Sequence, residues 1–598
     1  MNIPSSPPSN TSLSDAMGTS PLTMFLSLIN YIVDHQGHTD PSSSLTDNIP
    51  DAQEYDFIVV GAGAGGIIVA NRLTEVSNWS VLLLEAGGEE PSYAEVPSYC
   101  VFMQQTSSEV DWGYWSEARP NFCGGNGCSM QRGKVLGGST TTNSMFYVRG
   151  HHRDYDEWAR MGNEGWGYED ILKYFVKSED NGDPNLVKTK YHGSGGYQSV
   201  EVYPYQDINT MALLKGLEEI GLTTRDINGE HQKGVMLSQM TAKNGERRSA
   251  NIAFLKPIRG KRSNLKVLTN ALVTKVLIDA YTKTANGVQY HKNGKFMTAI
   301  ARKEVIVSGG AINSPQLLQL SGVGPREVLE PLGIPVIQDL KVGYNFHDHI
   351  CSSGVNYTLT KTSQWAGLDA QYEHLTKYAL NRTGPLSATG VAQVVAFKTT
   401  EYENITDYND IQFTFENTHV GGVHPNSYYD QITVIPIVLR PKSRGYIKIK
   451  SKDPFEHPLI NPNYFSEEYD IKILLKGLQY GIDFLKSKTF QELGYRLNTS
   501  PMHGCSKHEF ASEPYWRCVI KKYSRTNYHL GGSCKMGPAS DQDAVVDSSL
   551  RVYNVTNLRV IDASIMPFVI SGNTNAPTMM IAEKGADMIK RDWNIKLT

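Results

Sequence analysis

The stretch YDFIVVGAGAGGIIVANRL, residues 55–73, decides the fold. Residues 55–60 form a short apolar run rich in β-branched side chains, suited to a strand buried on both faces. A glycine cluster follows at once: Gly61, Gly63, Gly65 and Gly66, of which the first, second and fourth fit G-x-G-x-x-G. The next residues read as a helix. A second apolar run, 80–84, ends at Glu85, 19 residues beyond Gly66. Each part has a physical task. The first glycine permits a tight turn, the second lets backbone approach a pyrophosphate, the third lets helix pack close on strand, and the helix N-terminus faces the anion with free N–H groups. Glu85 can accept hydrogen bonds from both ribose hydroxyls, which argues against a 2′-phosphate and hence against NADP. Strand, glycines, helix and acid together predict a dinucleotide site of Rossmann type. They do not by themselves separate NAD from FAD.

The chain has 598 residues, with 57 Lys+Arg against 61 Asp+Glu, a net charge of −4. That balance lacks the basic footprint of a nucleic-acid partner. An apolar share of 40% is that of a folded globular protein, and no window reaches the roughly 18 apolar residues of a membrane span. The first 50 residues are rich in Ser, Pro, Thr and Asp and carry no Lys or Arg; one apolar patch, residues 22–33, interrupts them. It reads either as a secretory segment lacking its positive flank or as an amphipathic helix packed on the body. Of seven cysteines, Cys123/Cys128 and Cys505/Cys518 bracket short loops that an oxidising compartment could close, while ordinary reduced thiols are the alternative. Sequons at Asn78, Asn356, Asn381, Asn404, Asn498 and Asn554 agree with an extracellular location. The poor signal keeps a cytoplasmic one open. No zinc spacing occurs. The His347-Asp348-His349 run stands without further ligands, so no metal is expected.

Three further segments narrow the cofactor. Residues 132–150 (RGKVLGGSTTTNSMFYVRG) place Gly137 and Gly138 before small polar side chains, suiting backbone laid against a flat polar ring or a phosphate. Residues 303–324 (KEVIVSGGAINSPQLLQLSGVG) read as strand, turn and helix, with Ser314 as N-cap and Pro315 at the first helical position. Residues 557–583 read as a short strand ending at Asp562, a polar loop and an apolar helix. With EAGG at 85–88, VGYNFHDH at 342–349, RPKSRGYIKIKSKDP at 440–454 and YHLGGSCKMGP at 528–538, these segments resemble, in order, the glucose–methanol–choline (GMC) oxidoreductases, flavoproteins that oxidise alcohols. The resemblance runs from about Tyr55 to the C-terminus. The cysteine pairs look like the insect branch, which includes glucose dehydrogenases, salicyl alcohol oxidases and ecdysone oxidases.

The resemblance implies an α/β fold: a Rossmann-like FAD-binding domain from 55–180, 240–340 and 535–598, with an α+β substrate-binding domain on an antiparallel sheet from 181–239 and 341–534, after a tail at 1–54. It implies FAD held by Gly61, Gly63, Gly65, Gly66 and Glu85, by the loop Gly137, Ser139 to Asn143 beside the isoalloxazine, by Val273 near the adenine, and by Asp562 and Ala563 at the pyrophosphate. Some relatives carry a flavin-bonded histidine where this chain has Thr142, so non-covalent FAD is expected. Expected substrate-domain strands are 431–439 and 445–451, with an amphipathic helix near 467–486.

Oxidising an alcohol at a flavin requires a base that titrates near working pH, which points to histidine, and a polar group that holds the oxygen as it gains alkoxide character. The resemblance assigns these roles to His529 and Asn573. An amide partner predicts that His529 titrates alone. Leu530-Gly531 replaces the family's usual proline, and Tyr344 and Phe346 replace polar residues. These changes favour a bulky apolar alcohol such as an ecdysteroid or aromatic alcohol, with oxygen or a quinone-like molecule as electron acceptor. Sugar oxidation of glucose dehydrogenase type, a hydroxynitrile lyase and a non-enzymatic flavin-binding protein are the alternatives.

Overall fold

The computed structural model describes residues 50–105, 108–419 and 423–595. The N-terminal patch at 22–33 lies outside them. Among the described residues, a seven-stranded sheet is built from β1 (Gln53–Val60), β2 (Val81–Leu84), β3 (Leu265–Leu268), β4 (Leu272–Ile278), β5 (Ala285–Lys292), β6 (Lys295–Val307) and β7 (Leu558–Val560). Its order is β3-β2-β1-β6-β5-β4, with β7 also paired to β6. The β1, β2, β3, β6 and β7 pairings are parallel and the β4–β5–β6 ribbon is antiparallel. Parallel strands covered on both faces need continuous apolar runs, and Phe57, Ile58, Val59, Leu82 and Leu83 are all fully buried. Helix α1 (Ala64–Leu73) leaves β1 through the glycine turn, and the C-terminal helix Asn575–Asp592 packs against it.

A second sheet, entirely antiparallel, supplies the opposite wall. Tyr495–Leu497, Val355–Leu359, Gln431–Val438, Ile411–Thr418, Val394–Lys398 and Gly234–Leu237 lie side by side in that order, while Ile350–Ser352 links Gln431–Val438 to Ser524–Thr526. The helix Glu468–Asp483 lies on it with Ile473, Leu474 and Leu478 buried, and a β-carbon at Gly477 would sit 2.4 Å from the Pro436 side chain. The expected 445–451 strand is shorter and elsewhere. Tyr446–Lys448 pairs with Leu459–Asn461 in a separate ribbon, because Ile447 donates its N–H to Gly343 (2.7 Å) rather than to the large sheet.

Helix α2 (Gly310–Leu320) corrects a second expectation. It starts four residues before Ser314, and Pro315 lies inside it. Asp562 rather than Ser314 caps its N-terminus, taking Gly310 N–H at 2.9 Å and Ser314 Oγ at 2.6 Å. Proline inside a helix leaves the carbonyl four residues back without its usual donor. Here Ser533 Oγ donates to that oxygen, on Ala311, at 2.6 Å. Disulfides join Cys123 to Cys128 and Cys505 to Cys518.

Candidate active site

Between the two sheets lies a cleft of about 410 Å³ that both walls line. At one end stand Gly61, Gly63, Gly65, Glu85, Val273, Asp562 and Ala563; at the other, Ser139, Asn143, His529 and Asn573. Gly66 and Gly137 stand behind this lining. A β-carbon on Gly66 would lie 1.9 Å from the Gly61 carbonyl oxygen, so its task is helix–strand packing. Gly137 has φ +93° and donates its N–H to Ala62, holding the Gly137–Asn143 segment against the glycine turn. Ser139–Thr142 forms one helical turn, and Asn143 is pinned by buried Arg247 at 2.9 Å.

The dinucleotide end has the right donors for an anion. Neither α1 nor the C-terminal helix has a side chain capping its N-terminus or an acid in its first turn, and both ends line the cleft. Their free N–H groups attract negative charge. Ser308 Oγ and Asn575 Nδ2, both on residues lining the cleft, are buried without a partner among the described residues. Glu85 accepts N–H from Ala62 and from Gly87, each at 2.8 Å, one on each oxygen, which leaves lone pairs for a ribose diol. Burial pushes its carboxyl up to about 7, against the pull of those two N–H groups. The Asp562 carboxylate instead turns inward, to α2 and to Ser564 N–H at 2.7 Å, so its backbone and Ala563 form the wall. These features fit a flavin dinucleotide.

At the chemical end, Asn573 Nδ2 lies 3.1 Å from His529 Nε2, and Gln412 Nε2 donates to Asn573 Oδ1 at 3.0 Å. His529 Nδ1 is 2.8 Å from His349 Nδ1, and His349 Nε2 donates to the Leu439 carbonyl at 2.9 Å. That carbonyl fixes the proton of neutral His349 on Nε2. Its Nδ1 is therefore an acceptor, and the 2.8 Å contact, closer than the 3.3 Å one from Asn527 Nδ2, assigns the His529 proton to Nδ1. The His529 Nε2 lone pair is left beside Asn573. Burial, then neighbouring His349 and Arg132, hold the His529 imidazole well below the usual histidine range, and burial takes His349 down to about 4. The expectation that His529 titrates alone is thus corrected: the amide on Nε2 does not titrate, but the ring on Nδ1 does, and the two imidazoles form a coupled pair.

The 347–349 run braces this arrangement. Asp348 accepts the His529 backbone N–H at 2.9 Å and hydroxyls from Thr526 and Tyr464, while His347 Nδ1 contacts the Asn345 carbonyl at 2.6 Å. Among the described residues no three His, Cys, Asp or Glu side chains are grouped to hold a metal.

Several residues of this end were not anticipated. Gln412, Thr414 and Glu416 alternate along the strand Ile411–Thr418 while Ile411, Phe413 and Phe415 fill the core. Thr414 and Glu416 line the cleft, with Arg525 ion-paired to Glu416 and Asn527 beside it. The polar–apolar alternation of IQFTFE was the available signal, but alternation alone does not say whether the polar face meets solvent or a cavity. Conversely, Tyr344 and Phe346 do not line the cleft. Tyr344 donates its hydroxyl to Glu327 (3.1 Å) in an exposed setting, and Phe346 is fully buried in the second core. The ground for preferring an apolar alcohol from those two positions therefore falls away.

Two GMC oxidoreductase family profiles match this chain, over residues 55–351 and 441–582. Glucose dehydrogenase [FAD, quinone] of Drosophila pseudoobscura pseudoobscura is 41% identical, with 99% of this chain and 96% of that protein covered. Ecdysone oxidase of Bombyx mori is 35% identical over 94% of this chain and 85% of its own. Among solved structures, formate oxidase superposes with a TM-score of 0.80 at 25% identity, covering 91% of this chain and 99% of that one.

Proposed function

Because the chain belongs to the GMC oxidoreductase family, we propose that it oxidises a CH–OH group of a polyhydroxylated alcohol to a carbonyl, with His529 as base and Asn573 as orienter. Its cofactor is FAD, which when bound supplies an acceptor for two electrons from the carbinol carbon. The residues do the rest. His529 Nε2, deprotonated and unable to take a proton from its amide neighbour, receives the hydroxyl proton. Asn573 Nδ2–H, already aimed at that position, holds the oxygen as negative charge grows on it. Asp348 and His349 fix the ring at backbone and Nδ1. The observation that carries this reading is the 3.1 Å approach of Asn573 Nδ2 to His529 Nε2 at the inner end of the cleft.

The wall beside that pair supports a polar substrate. Thr414, Glu416, Arg525 and Asn527, all half-buried, offer both donors and acceptors, and a wall that pairs with a substrate's hydroxyls discriminates against alcohols that leave it unpaired. A sugar fits this wall better than a steroid, and the name of the Drosophila relative supports a sugar and a quinone-type acceptor. We extend the reading to an extracellular location: two disulfides and four sequon asparagines with exposed side chains, Asn78, Asn381, Asn404 and Asn554, suit an oxidising route. The test is anaerobic mixing of the FAD-loaded protein with sugars, ecdysteroids and benzylic alcohols while flavin absorbance is followed, then addition of a quinone or air. Sugars should bleach the flavin fastest and the quinone restore it fastest. Preference for ecdysteroid would overturn the substrate class, and bleaching by a His529→Ala protein at the parental rate would overturn the base.

A further inference from the structure

We propose that Gln412 is a positioning residue whose amide sets, and by turning over reverses, the polarity of the hydrogen-bond wire that ends on His529. The inference rests on His529 acting as base. In the structure the wire runs one way: Gln412 Nε2–H to Asn573 Oδ1 (3.0 Å), Asn573 Nδ2–H to His529 Nε2 (3.1 Å), His529 Nδ1–H to His349 Nδ1 (2.8 Å), and His349 Nε2–H to the Leu439 carbonyl (2.9 Å). Once the oxidised product has left and His529 still holds the substrate proton on Nε2, that N–H and Asn573 Nδ2–H are two donors facing each other. Turning the Asn573 amide puts Oδ1 on the new N–H, but then Nδ2 faces Gln412 Nε2, so the Gln412 amide must turn as well. Gln412 is free to do so. It is fully buried, and its Oε1 has no partner among the described residues, so turning sacrifices no second bond. A glutamine serves both states; a side chain that only accepts serves one.

The other titratable or charged groups around His529 are His349 on Nδ1, Asp348 on its backbone N–H, and Arg132, whose guanidinium donates to the Tyr528 carbonyl at 2.8 Å. The Glu416–Arg525 pair lies farther along the Gln412 strand. None changes in the test. Gln412→Glu, at pH values where the new carboxyl is ionised, can only accept, so it holds Asn573 with Oδ1 toward His529 and favours the imidazolium. The apparent pKa of anaerobic flavin reduction should rise by about one unit or more. In an Asn573→Leu background the same substitution should produce no such rise, because the effect travels through the Asn573 amide. Gln412→Met, which neither donates nor accepts, should lower the reduction rate about tenfold with KM within about twofold and the pKa in place. Folding is checked by Tm and bound-flavin absorbance. A rise that persists with Asn573→Leu would mean plain charge repulsion or attraction and overturn the inference, as would parental rate and pH profile in both Gln412 variants. A His529→Ala protein that still reduces flavin normally would instead remove the base on which the inference rests.

Discussion

Gly63 and Gly66 share a motif but have different neighbours. A β-carbon on Gly63 would meet nothing closer than Gly138 Cα at 4.0 Å, and its φ of −88° suits any residue; one on Gly66 would meet backbone at 1.9 Å. Gly63→Ala should therefore fold with a cofactor-free Tm within about two degrees of the parent, since nothing in the fold is displaced. It should bind FAD at least about tenfold more weakly, because the methyl occupies the space where backbone must approach pyrophosphate. Gly66→Ala should yield little soluble protein. Fluorescence titration with FAD distinguishes the two, and parental affinity in Gly63→Ala would remove the cradle from the site. Glu416 makes the complementary case for substrate. Glu416→Gln keeps the shape but weakens the ion pair with Arg525, and should raise KM for a sugar about tenfold with less change in kcat, as expected for an interaction made equally in ground and transition states. A fall in kcat alone would place Glu416 in the chemistry instead.

The short helix His152–Arg160 shows how an element can carry a pH dependence. Its N-cap is His151, whose Nδ1 accepts Arg153 N–H at 3.2 Å while Asp154 takes the His151 N–H at 2.9 Å. A cap that accepts must be unprotonated, and burial, then neighbouring His152, lower His151 to about 3. The folded value lies below the unfolded one, so the stability is whole above about pH 6.5 and is lost as pH falls toward 3. At pH 5 the loss is roughly 2 kcal/mol. His151→Asn keeps a capping oxygen that does not titrate, so its Tm should fall about one to two degrees less than the parent's between pH 7 and pH 5. Equal falls would refute the cap. Elements also set what could be read without coordinates. The glycine turn, Glu85 and His529 are legible because each sits in a contiguous segment whose residues act together. His349 and Gln412 reach His529 only through pairing of the second sheet, 180 and 117 positions away along the chain, and no local pattern encodes that meeting. Pro315 misled for a related reason: its helix tolerates it because Ser533, far along the chain, supplies the missing donor.

Among the described residues, the two largest cores flank the cleft, and the disulfides lie outside its lining. Cys123 N–H donates to Ser524 Oγ at 3.2 Å, and Cys518 sits on the helix Glu513–Tyr523 that leads into the strand Ser524–Thr526, so the two closed loops abut at one edge of the second sheet. Closing loops of these lengths stabilises by roughly 2–3 kcal/mol each in the chain-entropy account. Reductant should thus lower Tm by a few degrees while leaving FAD affinity within about twofold. Calorimetry with and without dithiothreitol, repeated on a Cys505→Ala/Cys518→Ala protein, checks this; loss of flavin on reduction would show that the loops support the cleft after all. The alternation at Thr414 and Glu416 has a broader consequence. Because these two side chains are separated by Phe415, which belongs to the interior, the chain can exchange what it presents to a guest molecule one position at a time without disturbing the layer behind. Lineages that keep the same frame and the same proton chemistry can in this way diverge toward different alcohols.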